Sequence, residues 1–234
     1  MSRTSLLDFS ATRLHKTTTA SGGVFTTNFA VSNNIIDASH GRSVGDLVSF
    51  TTDTAPPGGL TVGVIYSILE IVSSSNFTVT LDGVSEIVLS SDGTGTHSYA
   101  YYSTSVTISN FIVNQDQAIE EGFFHTSVLT GHKEWITKGY HWYLEIKTQL
   151  FKESTLATRR TNFDTLHGYL YTDVYVTRYI GTSDGAVVIR NASSVPIKFI
   201  MHKFETSFLT QANYEDILTI GLTSKDYIDM SKTV

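Results

Sequence analysis

The sequence predicts an all-β protein: a barrel or sandwich main domain with one or two short helices, plus a small β-sandwich-like module. Three observations lead there. Only 16% of the residues are charged, and Thr, Ser and Tyr fill the gap, which suits strands better than helices. Between Leu47 and Tyr102, short apolar runs are separated by Gly- and Pro-marked turns. Beyond Ser103, longer segments alternate with period two.

Taken in order, residues 1–32 are polar and rich in Thr, Ser and Gly. They are expected to form an N-terminal arm with a first piece of strand at Val24–Val31, Ser21-Gly22-Gly23 acting as a flexible joint. Residues 33–102 form the small module. Strands are expected at Leu47–Thr51, Val64–Val72, Phe77–Leu81, Glu86–Leu89 and His97–Tyr102. Pro56-Pro57-Gly58-Gly59 interrupts the pattern, and Asp82-Gly83 marks a tight hairpin. Strand-like pieces precede and follow the module (Val24–Val31 and Val106–Val113), so an insertion into the main domain, residues 103–234, is expected as readily as a simple tandem arrangement. There, Trp142 to Leu150 alternates as a half-buried strand. Tyr169 to Ile180 alternates with Tyr169, Tyr171, Tyr175 and Tyr179 on one face. Strands follow at Val187–Arg190, Ile197–Phe204 and Leu218–Leu222. Asn114 to Gly122 and Thr210 to Leu218 are the two places expected to hold a short helix.

Composition limits the chemistry. The chain has no cysteine, so disulfides and thiolate metal sites are excluded. Residues 33–100 carry Arg42 against seven carboxylates, for a net charge of −6. Such a surface cannot neutralise a row of phosphates, but it suits a wall that DNA passes without sticking. No apolar run matches a signal peptide or a membrane span, so synthesis in a cytoplasm without membrane insertion is expected.

Gly181-Thr182-Ser183-Asp184-Gly185 matches the nucleophile-elbow pattern, which needs a strand before it and a helix after it. Val187-Val188-Ile189-Arg190 follows instead, so a hairpin loop is expected. The histidines (His15, His40, His97, His125, His132, His141, His167 and His202) show no recognised metal-ligand spacing. Carboxylates at Glu120, Glu121, Glu145, Glu153, Asp164 and Asp173 are scattered rather than paired in any way a sequence can reveal. Asp92-Gly93-Thr94-Gly95-Thr96 is Gly-rich but lacks the Lys and the helix of a phosphate loop, and reads as a turn. Aromatic clusters at Trp135, Tyr140, Trp142 and Tyr143 and at Tyr99, Tyr101 and Tyr102 suit cores and protein interfaces. Arg159-Arg160 reads as a loop or salt-bridge doublet. No residue is assigned a catalytic, cofactor-binding or metal-binding role, and no cofactor is expected.

The segment Val44-Gly45-Asp46-Leu47-Val48-Ser49-Phe50, continuing through Pro57-Gly58-Gly59-Leu60, Gly63, Tyr66 and Asn76-Phe77 to Asp92-Gly93-Thr94-Gly95-Thr96-His97, resembles a small Gly-rich β module of bacteriophage tail and other virion proteins. Two departures are an expanded Pro-Pro-Gly-Gly turn and Tyr66-Ser67 where the family has an aromatic pair. The resemblance implies a virion structural protein without enzymatic activity, with no catalytic residues to carry over. The longer two-faced strands beyond the module, with low charge and many Tyr, Thr and Ser, then suit a tail-tube or distal-tail subunit that self-associates into rings around the DNA path, next to other virion proteins. The alternative expectation is a receptor- or glycan-binding virion protein, with Trp and Tyr stacking on sugars.

Overall fold

The computed structural model describes residues 9–108, 111–126, 133–148, 155–180, 184–191, 194–209 and 215–226. The architecture is all-β, with one short helix among the described residues. The chain divides into two compact units. The first holds residues Met1–Ser109 and Val174–Ile189, and the second Asn110–Asp173 and Arg190–Val234.

The first unit is organised by a closed ring of antiparallel pairs. Strand β1 (Phe9–Thr27) pairs with β2 (Ile35–Ile36). Strand β2 pairs with β5 (Asn76–Thr80), and β5 with β4 (Ile65–Ser73). Then β4 pairs with β3 (Leu47–Thr52), β3 with β6 (His97–Ile108), and β6 returns to β1. Closure satisfies the backbone groups that an open sheet leaves at its edges. Alternate residues point inward and fill the ring: Phe25, Val48, Phe50, Tyr66, Ile68, Phe77 and Tyr99 belong to one buried cluster. Phe50 sits at its aromatic centre, with ring centroids 5.1 Å from Phe25 and 5.6 Å from Tyr66.

The expected N-terminal arm is therefore a strand for most of its length. Its threonines favour extended backbone, and β6 and β9 supply partners on both sides. Gly22-Gly23 is not a joint. A Cβ on Gly22 would fall inside the Tyr99 ring, and Gly23 takes φ +118° at a register shift against β6. Both glycines serve a bulge and a close approach.

Two long strands outgrow the ring. The Phe9–Lys16 part of β1 pairs on its other side with β9 (Asp173–Ile180), which pairs in turn with β10 (Asp184–Val188). This hairpin packs on the outer face of the ring: Tyr175 and Val188 join Leu47, Ile65 and Tyr102 in a second buried cluster. Strands β3 and β4 are thus buried on both faces. Val48 and Tyr66 face inward, and their neighbours Leu47 and Ile65 face the hairpin.

A row of buried polar groups lies along the seam between β1 and β9. Arg13 Nη1 donates to Asp46 Oδ1 at 2.9 Å. His15 is fully buried, and its Nε2 lies 2.8 Å from Thr177 Oγ1. Its Nδ1 has no hydrogen-bond partner. Burial, with Arg13's charge adding to it, holds the imidazole down to about 3, so it is neutral at pH 7.

The second unit is an antiparallel sheet in the order β11 (Lys198–Leu209), β12 (Glu215–Ser224), β8 (Lys133–Thr148), β7 (Phe111–Thr126). Leu144, Ile146, Leu218, Ile220 and Leu222 are buried. Asn114 to Gly122, expected as a short helix, lies in β7, where cross-strand pairing with β8 overrides the local polar cues. Glu215 begins β12 opposite Leu209, so the second expected helix does not reach Leu218; residues 210–214 lie outside the described residues. The helix occurs instead at α1 (Leu156–His167), where the Thr155 hydroxyl caps Thr158 N–H. Few of its described side chains are buried. Phe163 packs on Phe204 with centroids 5.0 Å apart, and Leu166 is enclosed.

The expected tyrosine-faced strand from Tyr169 is shorter than its pattern. Tyr169 is buried just after α1, and Tyr171 takes φ +60° and is 75% exposed; β9 starts only at Asp173. The residues before Asp173 are occupied by the turn out of the helix, which breaks the alternation.

Candidate functional site

The two sequence stretches that carry the resemblance are turn clamps of the ring. In the first, Gly45 takes φ +81° and donates its N–H to Ile68 O at 2.9 Å. The Asp46 carboxylate then ties Ser43 N–H on one oxygen and Arg13 on the other. In the second, Asp92 Oδ1 accepts from Thr27 Oγ1 and Phe29 N–H, both at 2.8 Å. Asp53 Oδ1 accepts from Thr96 N–H, and Thr94 N–H donates to Ala55 O. His97 Nε2 lies 3.0 Å from Asp92 O, an acceptor only, so Nε2 carries the proton and Nδ1 accepts from Thr52 Oγ1.

Glycine is required at Gly95. It takes φ +86°, and a Cβ there would collide with the Asp53 carboxylate and the Thr54 hydroxyl. Gly41 also takes a positive φ, +58°, but has open space around it. Gly95→Ala is expected to cost about 1–3 kcal/mol, and Gly41→Ala about 1 kcal/mol or less. Paired urea melts of the two variants check the difference.

Between Val24–Thr27 and Asp92–His97 lies a shallow, open groove of about 400 Å³. The Asp92 oxygen facing the turn and both His97 nitrogens are already engaged, so the groove offers threonine hydroxyls and backbone more than acid–base chemistry.

A richer set of titratable groups crosses the sheet of the second unit. Tyr143, Glu145 and Lys147 on β8 meet His202, Lys203 and Glu205 on β11. Gly221 of β12 lies between Glu145 and Lys203 in the register. A Cβ on Gly221 would come within 2.8 Å of Lys203 Cβ, so the glycine lets the flanking side chains meet over it. Lys147 Nζ lies 3.2 Å from Glu145, and Lys203 Nζ 3.8 Å from Glu145 and 3.4 Å from Glu205. The bond from Lys147 holds Glu145 below the usual carboxylate range, and the bond to Glu205 holds Lys203 above the usual lysine range. A carboxylate kept ionised beside an ammonium kept protonated is a poor general base beside a poor nucleophile. Burial and the neighbouring Glu145 push Tyr143 up, and its ring lies against His202 at 5.5 Å. The arrangement is a charge-paired polar sheet face.

The other sequence candidates stay apart. Strands β9 and β10 form an antiparallel hairpin around Gly181–Gly185, the context expected of a loop and not of a nucleophile elbow; residues 181–183 lie outside the described residues. Asp173 pairs with Lys225 at 2.6 Å, and Asp164 with Arg160 at 3.9 Å. Glu120 and Glu121 stand opposite Tyr140 and Gly139 in the β7–β8 ladder. His125 lies in β7 opposite Glu134, whereas His132 and Glu153 lie outside the described residues. His40 is engaged at both nitrogens, by Ser73 O and Arg42 N–H. Among the described residues, no three His, Asp or Glu side chains gather as metal ligands.

Sequence reasoning missed the Arg13–Asp46 pair and the His15–Thr177 contact. Their partners are 33 and 162 residues apart, and no local spacing signals such pairs. Comparison with protein-family models, curated proteins and solved structures finds no match.

Proposed function

We propose that this chain is a structural, self-assembling subunit of a bacteriophage virion, of the tail-tube or distal-tail kind. The observation that carries the reading is the β7–β8 ribbon. Strand β8 pairs with β12 from Thr148 to Tyr143, and Ser224 then takes up Trp142 N–H and the His141 ring. From Tyr140 to Lys133, β8 pairs only with β7 among the described residues. That stretch is about 26 Å long at roughly 3.3 Å per residue. Two-stranded ribbons are at best marginally stable in water on their own, and this one includes Phe123, Phe124, Trp135 and Tyr140 in its sequence. A neighbouring subunit is the natural cover for it, and a head-to-tail contact of this kind closes into rings.

The virion assignment itself draws on the Val44–Phe50 and Asp92–His97 resemblance, and the acidic balance of residues 33–100 suits proximity to passing DNA. The purified full chain at tens of micromolar is expected to form rings or short tubes in negative stain. A single monomer mass across that range by mass photometry, with no assemblies on the grid, would sink the proposal. The glycan-binding reading has less to draw on: Tyr143 is half-buried against His202, with its hydroxyl 3.3 Å from Glu145, and is not an open platform.

A further inference from the structure

We propose that His15 is a proton-sensitive latch that holds the β9–β10 hairpin on the first unit, and that acidification releases this hairpin while the strand ring stays closed. Three features of the seam carry the idea. Residues Val174–Ile189 reach the first unit as a separate stretch of chain, entering after Asp173 and leaving before Arg190. Their seat is the Phe9–Lys16 part of β1 and the outer cluster around Tyr175 and Val188, so the hairpin can leave without opening any pair of the ring. His15 sits where β1 changes its pairing, with register shifts against β6 on both sides of it.

The hydrogen bonding at this point fits one protonation state. With Nε2–H donating to Thr177 Oγ1, the bare Nδ1 is a buried acceptor, which is tolerable. A second proton turns Nδ1 into a buried donor with nothing to accept it. The charged and titratable groups on the surrounding elements give it no help. Arg13 and Lys16 lie on β1, Asp173, Tyr175, Arg178 and Tyr179 on β9, and His97, Tyr99, Tyr101 and Tyr102 on β6. Asp173, the carboxylate of β9, is engaged by Lys225. The carboxylate of Asp46, at the start of β3, is engaged by Arg13. Protonation therefore requires the seam to open and admit water.

The sign follows from linkage. The closed seam holds His15 at about 3, and an opened seam returns it towards 6.5. Opening is independent of pH above about 6.5. Below that it becomes about tenfold more favourable for each unit of pH, until pH approaches 3. This seam works in the same way whether or not the chain assembles.

Hydrogen–deuterium exchange of the full chain at pH 7.5, 6.5, 5.5 and 4.5, corrected for intrinsic rates, tests the latch. Protection across Val174–Ile180 should be level between pH 7.5 and 6.5, then fall about tenfold per unit, while β3, β4 and β5 keep theirs. His15→Gln should abolish the slope. A flat wild-type profile, a slope that survives in H15Q, or an equal loss across β3–β5 would each overturn the proposal. If H15Q does not fold, the wild-type His15 ring is followed by NMR. A resonance constant from pH 7.5 to 5 in the native protein supports the latch, and one that titrates near 6.5 overturns it.

Discussion

Phe50→Ala is expected to destabilise the first unit by about 3–5 kcal/mol, the largest effect of any single truncation in the ring. Phe50 is 2% exposed and touches the aromatic system from three sides, with Tyr99 6.4 Å away in addition to Phe25 and Tyr66. Removing the ring forfeits its transfer free energy and leaves a cavity between strands whose backbones are fixed by closure, so the site cannot collapse to fill it. Phe29→Ala is the matched control. Phe29 is 45% exposed in the turn after β1, and its loss should fall within about 0.5 kcal/mol. Urea melts followed by tyrosine fluorescence should separate the two variants clearly. Equal midpoints would mean that the ring is not packed around Phe50.

Asp46→Ala is the second large effect, expected at about 3–5 kcal/mol. The Asp46 carboxylate is only 10% exposed and its partner Arg13 only 14%. Deleting the acid leaves the guanidinium largely enclosed without the Asp46 charge beside it, with the Val44 carbonyl still 3.4 Å away. Replacing both members, as in Arg13→Met with Asp46→Leu, should cost less than Asp46→Ala alone, because no enclosed charge remains. Part of the loss belongs to the turn, since Asp46 also receives Ser43 N–H. A double-mutant cycle by denaturation separates the two parts. If Asp46→Ala costs no more than the double replacement, the ion pair contributes nothing to the seam.

These two residues also show what could be read in advance. Phe50 and Asp46 lie in a run whose alternation and flanking Gly45 announce a strand entered from a tight turn, and β3 follows that expectation closely. The short strands β4 and β5 were legible for the same reason: each is bounded by turn chemistry that acts within a few residues. The Asp82 turn is of this kind, its carboxylate capping Val84 and Ser85 N–H.

What failed were segments whose conformation is set by distant partners. Residues Phe9–Lys16 look like an arm because nothing nearby in sequence reveals that β9 will lie alongside them. Asn114 to Gly122 offers helix-capping residues, yet pairs with β8 throughout. Helix α1 escaped notice for the opposite reason. It has a good cap at Thr155 but no apolar stripe, since among its described side chains little more than Phe163 and Leu166 anchors it. Of the polar seam, His15 was visible only as one scattered histidine. Its burial and its contact with Thr177 exist only once two segments far apart in the chain have met.

That separation also sets an order of events during synthesis. Every strand of the ring lies within Phe9–Ile108, so the ring can close as soon as that stretch has left the ribosome. The hairpin that covers the outer edge of β1 is translated only after the chain from Asn110 to Asp173. At about 5–20 residues per second, the nascent ring waits several seconds with the Phe9–Lys16 edge and the apolar seat around Leu47 and Ile65 uncovered. In that interval the nascent chain presents a bare strand edge to the other polypeptides emerging along the same messenger.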